Sequence, residues 1–192
     1  MLTIPRRQVG LTALYLGAFA AVWFSVPAVD QPLRALLLLA GVASMATAAV
    51  GGVVAARSRP AVDAVRDSAA DRRYVLIVLA ELAAAGIGAA LLAAAGLAGY
   101  APVLVCAVVG LHFFPLTPVL KDPRLRLLGG AMCLVALAGL VTALASAVPA
   151  GLVVGVGAGL LLWAYALLAL VTAPRPPRRS GMGSTVSPIG PG

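Results

Sequence analysis

Apolar residues arrive in this chain as long blocks rather than as single positions alternating with polar ones. Reading for stretches of about 20 apolar residues, the length of helix that crosses a bilayer, gives six spans. They cover about 9–29, 33–56, 74–97, 101–120, 127–148 and 150–173. The two-residue alternation that a membrane β-barrel needs is absent. Backbone N–H and C=O groups in hydrocarbon have no water to bond, so each span must satisfy them within itself as a helix. The expected fold is therefore all-α: a polytopic membrane protein of six transmembrane helices in an antiparallel bundle.

The polar punctuation sets the organisation. The connections after the first, third and fifth spans are the short DQP, AGY and a VPAG junction, so consecutive helices are expected to form hairpins. No segment between spans is long enough for a separate soluble domain. Residues 1–173 read as one transmembrane domain. The tail 174–192, PRPPRRSGMGSTVSPIGPG, has the Pro/Gly/Ser bias of a disordered segment.

Composition agrees with the blocks. Hydrophobic residues make up 62% of the 192 and charged ones 10%, where a soluble domain carries roughly a quarter charged. The net charge of +8 would suggest nucleic acid in a soluble protein, but it is distributed as insertion topology requires. Arg6 and Arg7 precede the first span. Arg57, Arg59, Arg66, Arg72 and Arg73 follow the second, Lys121, Arg124 and Arg126 the fourth, and Arg175, Arg178 and Arg179 the sixth. Every basic residue except Arg34 thus falls on one side. The positive-inside rule makes that side the cytoplasm, with both termini there. The expected location is a bacterial cytoplasmic membrane, the expected partner the lipid bilayer, and nucleic acid is excluded. A cleaved signal peptide fits poorly, because the first span exceeds the roughly 7–15 residues of a secretory h-region.

Ionisable groups inside the spans are few. Glu81 is the one carboxylate well within a span, and His112 is the chain's one histidine. Such groups cost about 2.5–3.5 kcal/mol on insertion scales, so they mark candidate sites. Counting from the same membrane face, Glu81 lies about 10 Å deep on the third helix and His112 about 12 Å on the fourth. Being level on hairpin-linked helices, the two are expected to meet inside the bundle as an acid–base pair. Tyr15, Thr47 and Tyr165 reach similar depths, about 9, 13 and 12 Å. They are candidates, with Pro115, to line a ligand pocket around the pair. Pro115 and Pro118 lack N–H groups and should kink the fourth helix, freeing the carbonyls of Leu111 and Phe114.

Metal and cofactor sites are not expected. One histidine and two cysteines without a C-x-x-C do not complete a zinc set. Asp63, Asp67 and Asp71 repeat every four residues in the polar connection, a pattern better read as a solvated helix face. Cys106 and Cys133 fall about 21 and 9 Å from the same face, too far apart in depth for a disulfide. Gly151, Gly155 and Gly159, and likewise Ala80, Ala84 and Gly88, have the spacing that brings helices into close contact. That spacing serves internal packing or a homodimer.

VVGLHFFPL, then basic residues, then LLGGAMCLVALAGL resembles a stretch in a family of small, functionally unassigned bacterial multi-span membrane proteins. In that family a G-L-H-F-x-P-L-A run precedes a basic turn and another apolar helix. The resemblance covers about 40 residues, roughly 100–140, with Thr117 standing where the family has alanine. It implies the membrane fold and draws attention to His112 without attaching a reaction to it. Three functions fit the sequence: a small secondary transporter or permease, proton-coupled through Glu81 and His112; a membrane-embedded acid/base enzyme acting on a lipid-like or polyprenyl substrate; and a non-catalytic accessory membrane protein. The first fits best, because no diphosphate-binding or nucleophile motif supports the second.

Overall fold

The computed structural model describes residues 6–58, 68–120 and 124–172, and within them every long element is an α-helix. Six helices follow one another: α1 (Arg6–Ser25), α2 (Leu33–Arg57), α3 (Ser68–Ala94), α4 (Ala101–Leu120), α5 (Arg124–Ala145) and α6 (Ala150–Val171). All six are long and apolar enough to cross a membrane. The protein is therefore a multi-pass, all-helical chain of the membrane-spanning kind.

Three spans begin earlier than the apolar blocks do: α1 at Arg6, α3 at Ser68 and α5 at Arg124. Hydropathy marks where hydrocarbon begins, whereas a helix continues into water for as long as its backbone can bond. Just past the end of α3 is Gly96, whose φ of 75° is open to glycine at little cost. There the Leu97 N–H donates to the Leu92 carbonyl at 2.7 Å and the Gly96 N–H to that of Ala93 at 3.1 Å. This is the glycine-terminated cap that closes a helix. A 3-10 turn, Ala98–Tyr100, then leads directly into α4.

The helices lie side by side in the order α2, α1, α6, α5, α4, α3, and α6 also touches α2 and α4. α6 is thus the central element. It buries Val154, Gly155, Ala158, Gly159, Leu162 and Ala166, with Trp23, Phe24 and Met132 among the large residues of the same core. α3 is at the far end of the row. It packs against α4 and the 3-10 turn, and no residue of its span is fully buried.

The glycine stripe of α6 has internal employment. A methyl placed on Gly155 would lie 2.7 Å from Pro27, and one on Gly159 would lie 2.7 Å from the Phe24 ring, so α6 needs both glycines to meet the end of α1. α1 and α2 are closer still. A methyl on Gly10 would lie 2.5 Å from the Ala55 nitrogen, one on Gly17 2.8 Å from the Ser44 carbonyl, and one on Gly51 2.6 Å from the Leu14 nitrogen. Backbone meets backbone along this seam.

Candidate functional site

α3 turns one half-buried face towards α4, formed by Ile77, Val78, Glu81, Ala85, Gly88, Ala89 and Leu92 at helical spacing. Gly88 receives the Leu104 side chain of α4. Two turns further along both antiparallel helices the partners become Glu81 and His112. His112 Nδ1 approaches Glu81 Oε2 to 3.0 Å, with the side chains 9% and 18% exposed. The expected approach of the two groups is present, and hairpin register is its cause.

Despite the short distance, the buried Nδ1 has no hydrogen-bond partner of proper geometry. The carboxylate sits beside the imidazole rather than along its N–H or lone-pair direction. Proximity and alignment are separate requirements, and a bond loses strength steeply as the angle falls towards 120°. The two groups are in close electrostatic contact and are not locked by a directed bond.

The other sequence candidates lie elsewhere. Tyr15 is exposed on the outer side of α1. Thr47 is buried on α2; its hydroxyl accepts from Trp163 Nε1 at 3.0 Å and donates to the Ala43 carbonyl at 3.0 Å. Tyr165 packs on the central core from α6. α1 and α2 are packing partners of neither α3 nor α4, so Tyr15 and Thr47 do not join Glu81 and His112, whereas Tyr165 is on α6, which packs against α4. Equal depth did not bring equal facing. Pro115 is on the same helix as His112, and α4 is continuous through it to Leu120. Thr117, one turn beyond Phe113, donates to the Phe113 carbonyl at 2.9 Å. The Asp63 and Asp67 positions and the tail from residue 173 lie outside the described residues.

Both cysteines are free, but they are nearer in depth than residue counting implied. The Cys106 thiol reaches the Met132 carbonyl at 3.4 Å. A methyl on Gly110, one turn along from Cys106, would lie 2.7 Å from the Cys133 sulfur. Among the described residues no group of three His, Cys, Asp or Glu side chains is placed to hold a metal ion.

Sequence reading missed the indole–threonine bond that ties α6 to α2. The available signal was a lone tryptophan in an apolar helix, whose N–H needs a partner when buried. It also missed the Gly10, Gly17 and Gly51 seam, legible as glycines spaced seven apart on α1. Compared with known proteins, the chain matches no family model, no curated protein and no solved structure.

Proposed function

We propose that the chain is a small secondary transporter of a bacterial cytoplasmic membrane, with both termini cytoplasmic and with proton exchange at Glu81–His112 coupled to movement of a small solute. The observation that carries this reading is the 3.0 Å contact between the two groups on a helix pair otherwise joined by apolar side chains. α3 has α4 as its main support, so the charge state of the pair biases how α3 sits. While the pair carries no net charge, α3 stays docked. With a proton gained or lost, the net charge favours a state that admits water or solute between α3 and α4. Coupling of this kind requires two positions of one element that the proton distinguishes. The exposed Ala80 and Ala84 on α3, at the spacing of close helix contacts, supply the face for a homodimer.

The test is electrical. Full-length protein in liposomes on a solid-supported membrane is challenged with a panel of amino acids, sugars and hydrophobic weak bases under a proton gradient. A solute-evoked proton current in the wild type, abolished in Glu81→Gln and strongly reduced in His112→Ala, is the expected result, with helicity unchanged. Equal currents in wild type and Glu81→Gln would overturn the proposal, and so would silence across the panel. The orientation is checked separately: an impermeant thiol reagent applied outside intact cells should label Gly99→Cys and spare Ser58→Cys.

A further inference from the structure

At the end of the α1–α2 hairpin where α1 begins and α2 finishes, a cleft of about 390 Å³ opens on the surface. Its α1 wall is Arg7, Leu11 and Leu14, which the spacing of four and three places on one helix face. Its α2 wall is Gly52, Ala55 and Ala56, with Ser58 at the rim. Small residues opposite leucines make the depth: a methyl on Gly52 would touch Leu14 at 3.6 Å, so anything larger would occupy the groove. From Arg7 to Leu14 the groove runs about 10 Å along the helix. It therefore starts at a cation and ends well inside the apolar span.

The charge at the mouth is unspent. Among the described residues Arg7 has no ion-pair partner, and Arg6 and Arg57 stand exposed at the same end. The dipoles of α1 and α2 oppose each other here, since one helix starts where the other stops, so the guanidinium groups dominate the local field. The Ser58 hydroxyl donates to the Val54 carbonyl at 2.7 Å and takes no charge from the rim. A free anion would have no use for an apolar groove, and a zwitterionic lipid, whose own cation offsets its phosphate, gains less from the arginine than an anionic one.

We infer that this cleft is a binding site for an anionic phospholipid, its phosphate on Arg7 and one acyl chain laid between Leu11 and Leu14 of α1 and Gly52 and Ala56 of α2. Basic recesses between membrane helices recognise such headgroups through charge, and lipid chains through fit. The inference needs only the membrane fold and is independent of Glu81 and His112.

Native mass spectrometry of the full chain in neutral detergent tests it, with phosphatidylglycerol and phosphatidylcholine of identical acyl chains as probes. Wild type should hold phosphatidylglycerol about fivefold more tightly, the scale of one basic residue near an anionic surface. Arg7→Gln should lower it to the phosphatidylcholine level, and Gly52→Leu should weaken both lipids. Arg34→Gln, at the opposite end of the hairpin, should change neither. Equal retention of the two lipids by wild type, or no loss in Arg7→Gln, would overturn the assignment. Competition by inorganic phosphate as effective as by lipid would do the same, since it would show a simple anion site.

Discussion

The α1–α2 and α3–α4 hairpins are alike in sequence style and different in construction. In the first, Gly10, Gly17 and Gly51 let two backbones approach until no methyl group fits between them. In the second, the one close glycine, Gly88, meets the tip of a leucine side chain, while Gly86 faces open space. Without a hydrophobic drive between helices in lipid, close packing and hydrogen bonds decide which helices hold together. By that standard α1–α2 is a fixed frame and α3 is its most loosely held helix. The acid–base pair is on the loose helix. A proton can have mechanical consequences only where little else opposes them.

The widest separation between the two hairpins should come from filling a glycine. Gly51→Val would drive its Cβ to 2.6 Å from the Leu14 nitrogen and 2.7 Å from the Gly10 carbonyl. Neither is a side chain that can rotate away, so the helices must part. A loss of about 3 kcal/mol or more is expected, the upper end for overpacking, read as a lower midpoint in detergent unfolding followed by helicity. A wild-type midpoint for this variant would show that the seam is less tight than its geometry.

The polar pair comes next. A double-mutant cycle on Glu81→Ala and His112→Ala should give a coupling of about 0.6–1.7 kcal/mol, the range for polar contacts between membrane helices. Zero coupling would mean that the 3.0 Å approach contributes nothing to holding α3, and would remove the mechanical link from the proposed transport. On the fixed side of the molecule, Thr47→Val should cost about 1 kcal/mol by stranding the Trp163 N–H. It should leave proton currents intact, because neither Thr47 nor Trp163 is on a helix that packs against α3.

These contrasts also mark what the sequence discloses. Six helices were legible because a bilayer demands about 20 apolar residues per crossing, and no other constraint on a chain is so rigid. The meeting of Glu81 and His112 was legible because a short AGY turn fixes register, leaving only depth to be counted. Facing was not legible for Tyr15, Thr47 and Tyr165. On helices apolar all round, no polar face distinguishes lipid from neighbour, since lipid tails are as apolar as leucine. For the same reason nothing in the α3 sequence announces that it sits at the end of the row. The glycines came closest to doing so, through what each of them faces.

The smallest expected effect is the most discriminating about that row. Gly88→Ala places a methyl against Leu104 Cδ2, the far end of a side chain free to adopt another rotamer. The cost of that adjustment is of order 0.5–1.5 kcal/mol, and alanine returns about 0.8–1 kcal/mol of helix propensity relative to glycine. The two nearly cancel. Gly86→Ala meets nothing within contact range and should be neutral or slightly stabilising. Gly88→Ala should therefore unfold close to the wild-type midpoint, with Gly86→Ala at or slightly above it. If Gly88→Ala instead behaved like Gly51→Val, α3 would be locked to α4 as firmly as α2 is to α1. Movement of α3 would then be too costly for one proton to direct, and Glu81 with His112 would be a structural tie.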